Sequence, residues 1–222
     1  MTTTPQTQPS ATFQQSDPRD LFDRAAAITA GVIAAVKPEQ LTSATPCDEF
    51  DVRALLAHLV GVGDRAAAIG RGEDAMSVSG VRPVADDAWV GAWADVTADF
   101  DKAWVDDAVL AVPVTLPWAT GPAGEILKGY INEVVIHTWD LAQATGQNPT
   151  WDDDVVAAAY EAITASLPAG GRSEMFAAIM AKMDTAALPP GFGGAPFGEA
   201  VAPPEGARPI DRLVAYTGRT PA

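Results

Sequence analysis

The sequence predicts an all-helical, up-and-down bundle followed by an irregular C-terminal extension. Three observations carry that prediction. Apolar residues recur along most of the chain at the three- and four-residue spacing of a buried helix face. Capping residues, prolines and glycines punctuate those stretches near their ends. With 48% hydrophobic and 19% charged residues among 222, the chain has enough apolar side chains for one ordinary core.

Residues 1–16 are mostly Thr, Gln, Pro and Ser with little to bury, so they read as a disordered tail. A first helix starts where Asp17 can cap free amides and Pro18 suits the first helical position. Leu21, Ala25, Ile28, Val32 and Val36 form its stripe, and Pro38 stops it. A second follows Asp51 with Leu55, Leu59, Val62, Ala66 and Ile69 inward and ends at 70–72. Gly61 and Gly63 inside it cost roughly 1 kcal/mol each relative to Ala, unless a neighbour comes close there. A third covers 84–104, with Trp89, Trp93, Val96, Phe100 and Trp104 on one face as core.

Between 106 and 124 the periodicity fails among Pro113, Pro117, Gly121 and Pro122, which implies an extended segment or structured loop. A fourth helix spans 124–145 on Leu127, Tyr130, Val134, Thr138 and Leu141, and Gly146 ends it. A fifth starts at Thr150, with Thr150 and Asp153 at capping-box spacing, and carries Val156, Tyr160 and Ile163 to Pro168. Residues 17–168 are thus the bundle and 169–222 an extension packed on it. Within that extension, 173–184 reads as a short helix with Phe176, Ile179, Met180 and Met183 inward. A Gly- and Pro-rich strap follows, held down by Phe192, Phe197 and Val201, and then a last helix over 209–216.

Fourteen basic and twenty-nine acidic residues leave a net charge of −15. That field repels phosphate backbones and anionic lipid heads, which argues against nucleic-acid and membrane-surface partners. The N-terminus lacks a basic and apolar leader, and the most apolar stretch, 25–36, is short of the ~20 residues a membrane span needs. A single cysteine suits a reducing compartment. The expectation is a soluble, cytoplasmic monomer or homodimer.

Chemistry concentrates on scarce histidines. The chain has two, His58 and His137, each mid-helix. Glu133, His137 and Asp140 stand at i, i+4 and i+7, so all three share one face beside the apolar stripe. Three accounts fit. Glu133 and His137 can form an ordinary helical hydrogen bond beside an unrelated His58. The histidines can act as general base and acid with Glu133 as orienter. Or His58, Glu133 and His137 can converge on a divalent ion, with open positions for water or substrate and Asp140 as an outer acceptor that fixes an imidazole tautomer.

The segment TPCDEFDVRALLAHLVG (45–61) resembles the TPC-x-x-W-x-V-x-x-L-x-x-H signature of mycothiol-dependent maleylpyruvate isomerase-like, DinB-like helical proteins. EVVIHTWDLA (133–142) is similar to that family's second metal-binding segment, and FGEAVAPPEGARPIDRLVAYTGRTP (197–221) to the C-terminal closure of an actinobacterial metal-binding subgroup. The resemblance implies a DinB-like four-helix bundle. It also implies a metal, usually zinc with nickel an alternative, on the residues matching His58, Glu133 and His137. Phe50 stands where the family commonly has Trp. The isomerase carries a separate C-terminal α/β domain, for which this Gly- and Pro-rich tail is too short and irregular. The resemblance therefore implies the metal site and not the isomerase reaction.

Other candidates read as structural. Cys47 lies in a Thr-Pro-Cys turn with no basic neighbour and reads as packing. Arg219 can reach back to an anionic cofactor or make an ion pair. Arg53 and Arg65 are expected to pair with carboxylates, and Trp118 can line the site mouth. Trp139, two positions from His137, points away from it. Asp152, Asp153 and Asp154 read as a solvated helix start rather than a calcium loop.

Two functions stand against each other. One is a metal-dependent transferase or isomerase in which the ion activates a low-molecular-weight thiol, mycothiol by resemblance, for attack on a small electrophile. The other is a non-catalytic metal-binding module. A hydrolase using metal-activated water is a third possibility.

Overall fold

Residues 16–181 and 197–221 are described by the computed structural model. The expected disordered tail, the strap residue Phe192 and Met183 lie outside the described residues, apart from Ser16 at the tail's end. Four long helices make the core. They are α1 (Pro18–Ala34), α2 (Val52–Gly70), α3 (Trp89–Ala103) and α4 (Ala123–Thr145). Their bounds follow local signals: Asp17 accepts from the Arg19 amide and Asp51 from the Ala54 amide, and Gly146 closes α4 in the left-handed region at φ 71°. The five expected stripe residues of α2 and the five of α4 are all buried.

The helices do not meander between neighbours. Trp93 Nε1 donates to the Ala26 carbonyl at 3.0 Å and Arg19 Nη1 to the Trp104 carbonyl at 3.1 Å, so α1 and α3 run antiparallel. Gly63 faces Val96 while Gly70 faces Trp104, so α2 and α3 run parallel. The buried hydroxyls of Thr29 and Thr138 sit 2.7 Å apart and Gln147 Nε2 reaches the Val32 carbonyl, which makes α1 and α4 parallel too. In chain order the directions are up, down, down, up.

Parallel neighbours need a connection that travels back the length of a helix, and residues 71–88 do so along α2. Arg65 Nε donates to the Val78 carbonyl, the Arg82 amide to the Ala57 carbonyl, and Arg53 pairs with Asp86. This return path delays α3 to Trp89, five residues after the start that periodicity predicts at 84. It also accounts for the glycines of α2. A Cβ at Gly61 would stand 2.5 Å from the Gly80 carbonyl carbon, and one at Gly63 would meet the Val96 side chain at 2.2 Å. Both glycines mark close approach.

The irregular 106–124 stretch resolves into a 3₁₀ turn (Asp107–Ala111) and a hairpin of β1 (Pro113–Leu116) and β2 (Ala119–Pro122), with exposed Trp118 at its turn. Beyond α4, helix α5 (Asp153–Ser166) is capped by Asp152 rather than through a Thr150–Asp153 box. Asp152 also pairs with Arg24, which anchors the helix start to α1. Tyr160, expected on the inward stripe, is instead exposed and meets the Tyr216 ring edge-on.

Helix α6 (Arg172–Met180) covers most of the described part of the 173–184 reading, of which 182–184 lie outside the described residues. Phe176, Ile179 and Met180 are half-buried, and its one fully buried residue is Arg172. That guanidinium donates to the carbonyls of Pro168 and Gly198 and lies over the Tyr216 ring, tying α6 to the final segment. Helix α7 (Pro209–Tyr216) spans the predicted residues and packs mainly on α5. The Tyr216 hydroxyl bonds the Leu167 carbonyl and the Val201 amide bonds the Ala215 carbonyl, so the chain end is carried back toward α4.

Candidate metal centre

α2 and α4 run antiparallel and bring His58 level with Glu133 and His137. One oxygen of Glu133 lies 3.5 Å from His58 Nε2 and 3.3 Å from His137 Nε2. Two donors on one tetrahedral zinc, each about 2.0–2.1 Å from the ion, are themselves about 3.3–3.4 Å apart. The ligand atoms of the three residues all lie within 4.8 Å of one another.

The opposite ring nitrogens are fixed. His58 Nδ1 is 2.9 Å from the Gly80 carbonyl, an acceptor only, so Nδ1 carries the hydrogen. His137 Nδ1 is 3.0 Å from Asp140 Oδ2 and donates to it. Burial pushes the Asp140 carboxyl upward, yet its bonds to His137 and Arg219 bring it below the usual carboxylate range. Both imidazoles therefore turn Nε2 toward a carboxylate. Two lone pairs facing an anion need a cation between them, either a proton or a metal ion.

The titration shifts express that need. Burial raises the Glu133 carboxyl, but the two imidazoles overcome it and hold the group well below its ordinary value. Burial pulls His137 down, and Asp140 and Glu133 reverse this, pushing it up to about 9. The two-nitrogen, one-carboxylate donor set fits a borderline divalent ion. The centre is most accessible at Glu133 and His58, whose side chains are 27% and 18% exposed, against 5% for His137.

Around this centre the Thr45-Pro46-Cys47 turn is closed by Thr45 Oγ1, which bonds the Phe50 carbonyl at 2.8 Å and the Cys47 amide at 3.2 Å. It stacks the Phe50 ring on His58 with centroids 5.0 Å apart, the place an aromatic occupies in the resembled signature. Cys47 groups with His137 and Asp140 and not with Glu133. Burial pushes its thiol up to about 11. Asp140 is fully buried and accepts two bonds from Arg219, at 3.1 and 2.8 Å, while Arg219 also donates to the Thr217 carbonyl and lies over Phe197. The final segment thus reaches the centre through a carboxylate.

Of the residues read from sequence, His58, Glu133, His137, Asp140 and Arg219 all gather here. Trp139 is buried in the core and Trp118 is exposed on the hairpin. Arg53 pairs with Asp86 as expected, but Arg65 bonds a backbone carbonyl and has no carboxylate partner among the described residues. That correction follows from the return segment, whose Val78 carbonyl reaches the guanidinium first. Gly80 escapes sequence reasoning because a backbone carbonyl carries no residue signal.

A family model described as the mycothiol maleylpyruvate isomerase N-terminal domain matches residues 22–142. The chain belongs to that family. The match runs from α1 through most of α4 and takes in every candidate ligand. Two curated proteins of Mycobacterium tuberculosis, both described as uncharacterized, are 27% identical to this chain over 205 residues, covering 92% of it and 98% of their own length. That likeness covers more of the chain than the family domain does. No solved structure matches. Among the described residues, no helix is long and apolar enough to cross a membrane.

Proposed function

We propose that this family member is a metal- and thiol-dependent transferase or isomerase, with a divalent ion, zinc by preference and nickel as alternative, held by His58, Glu133 and His137. The observation that carries the metal is the pair of 3.5 and 3.3 Å separations between two tautomer-fixed Nε2 atoms and one Glu133 oxygen. When bound, such an ion lowers the pKa of a thiol or water that joins it, so that the deprotonated nucleophile is present near neutral pH. The thiol reading draws on the family description, which names mycothiol.

The chain's own residues have distinct tasks in this reading. Gly80 and Asp140 orient the two rings. Arg219 keeps Asp140 ionised as an acceptor. Phe50 shields one side of His58 from water, and the exposed edges of His58 and Glu133 leave an approach for a small molecule. The thiol loses its proton to solvent, and its sulfur then bonds an electrophilic carbon in one of two ways. In transfer it displaces a leaving group, which departs to solvent with the bonding pair. In isomerisation it adds to a conjugated double bond whose π pair shifts away, and after rotation that pair returns and expels the sulfur. A closed structural zinc would call for a fourth protein ligand. Cys47 does not group with His58 and Glu133, and Asp140 is taken by Arg219, which favours the open site over a purely structural module.

Elemental analysis of the purified parent beside His58→Ala and His137→Ala tests the ligand set. About one ion per chain is expected in the parent and near-complete loss in each variant, because a two-ligand remnant binds weakly. Glu133→Gln weakens binding through lost charge while the fold stays helical. In cobalt-substituted protein, mycothiol produces a sulfur-to-metal charge-transfer band. Without that band thiol activation fails, and the water-activating hydrolase becomes the better account.

A further inference from the structure

We propose that residues 71–88, the return path from α2 to α3, form a clasp coupled to the metal centre, with Arg65 and Arg82 as the positioning residues that hold it on α2. The proposal rests on the metal reading above and adds what regulates that site.

The clasp has almost no core of its own. Ala75 is the only buried residue between 71 and 88. Segments with so little apolar burial open more easily than the helices they join. A single row of α2 holds this one down. Arg53, Ala57, Gly61 and Arg65 follow one another at four-residue spacing and so lie along one ridge. The returning chain meets them in reverse order. Arg65 Nε donates to the Val78 carbonyl at 2.9 Å, Gly61 lies against Gly80, the Ala57 carbonyl accepts from the Arg82 amide at 2.9 Å, and Arg53 pairs with Asp86.

His58 takes its orientation from the middle of that row. Gly80 is enclosed between two groups of α2. A Cβ on Gly61 would stand 2.5 Å from its carbonyl carbon, and a Cβ on Gly80 itself would stand 3.0–3.2 Å from the Arg65 guanidinium. The Gly80 carbonyl, 2.9 Å from His58 Nδ1, is thereby held in place. Arg82 anchors the following residues. Its Nη1 pairs with Asp64 of α2 at 3.1 Å and its Nη2 donates to the Ala92 carbonyl of α3 at 3.0 Å. Both arginines act on His58 through the Gly80 carbonyl.

The coupling follows from the two nitrogens of one ring. A cation on Nε2 draws electron density from the imidazole and makes Nδ1–H a stronger donor, so a loaded centre grips the Gly80 carbonyl more tightly. With the clasp open, that donor loses its acceptor and the ring loses its orientation. Linkage makes the two effects equal: the ion tightens the clasp by the factor by which the docked clasp tightens the ion. For the orienting partner of a metal-ligating histidine that factor is about 10- to 100-fold.

The test reads native-state hydrogen exchange of the Arg82 amide in the zinc-loaded and the metal-free protein. Beside it, chelator competition gives zinc affinity for the parent, Arg65→Met, Arg65→Lys, Arg82→Met and, as control, Arg24→Met. In the metal-free protein the Arg82 amide is expected to exchange faster than the α1 amides, which mark whole-molecule unfolding, and zinc slows it about tenfold or more. Arg65→Met and Arg82→Met each lower zinc affinity by up to the same factor and change the visible bands of the cobalt-substituted protein. Arg65→Lys, which can still donate to Val78, recovers part of the loss. Arg24→Met gives up a pair with Asp152, away from the clasp, and binds zinc as the parent does. The sign separates positioning from charge, because deleting a positive charge near a bound cation strengthens binding by electrostatics alone. An Arg82 amide that keeps pace with α1 in the metal-free protein, or that exchanges at one rate in both forms, overturns the clasp and leaves the metal reading standing. So do Arg65→Met and Arg82→Met proteins that bind zinc as tightly as the parent. Should the variants fail to fold, the exchange comparison on the parent decides. A parent that holds no zinc overturns the metal reading and the clasp together.

Discussion

His137 Nδ1 and Asp140 Oδ2 are 3.0 Å apart in a fully buried contact, one helical turn from each other on α4. That bond aims His137 Nε2 at Glu133, and Arg219 neutralises the carboxylate that makes it. The outer acceptor therefore governs how well the ring is presented to an ion.

Asp140→Asn is expected to lower metal affinity by about 10- to 100-fold, since an amide is a weaker acceptor and can offer the wrong group to Nδ1. Competition against a chromophoric chelator reads the loss directly. An unchanged affinity removes Asp140 from the site.

Replacing Arg219 by Gln leaves Asp140 as a buried carboxylate short of its cation. Breaking such a pair costs about 3–5 kcal/mol. Urea unfolding measures it. The double variant Asp140→Asn with Arg219→Gln should lose less than the sum of the singles, because neither partner is then left charged and alone.

The metal-free protein has a defined pH response. His137 is raised from 6.5 to about 9 in the folded state, so its contribution is fully present below about 6.5 and is lost as pH rises toward 9. Glu133 and Asp140 are depressed, so their contributions are present above the ordinary carboxylate range and are lost as the solution is acidified through it and below. A metal ion competes with the His137 proton, so affinity for it climbs between pH 6.5 and 9. Thermal unfolding with and without chelator should show the metal-free midpoint falling over that interval while the loaded one holds.

Gly61→Ala places a methyl 2.5 Å from the Gly80 carbonyl carbon and forces the return segment off α2. The expected cost is about 1–3 kcal/mol, together with weaker metal binding through the displaced His58 partner. Gly31→Ala is the control. Its methyl meets nothing within 4 Å on an exposed position of α1, so a gain of up to about 1 kcal/mol is expected. Denaturation of both variants separates crowding from helix propensity.

By itself the sequence determined the helices and half of the centre. Caps at Asp17 and Asp51, the stop at Gly146 and the stripes of α2 and α4 are signals acting within one or two turns, and the structure follows them. On α1, by contrast, Ile28 is only half-buried and Val36 falls beyond the helix end at Ala34. The shared face of Glu133, His137 and Asp140 is equally local, whereas choosing the account that adds His58 rested on the family resemblance. The tertiary structure decided the parallel pairing of α2 with α3, the late start of α3 and the orienting partners of the site. His58 meets the Gly80 carbonyl across 22 residues and Asp140 meets Arg219 across 79. Those contacts depend on the course of the 71–88 return path and of the final segment, where a carbonyl or a buried ion pair has no periodicity to announce it.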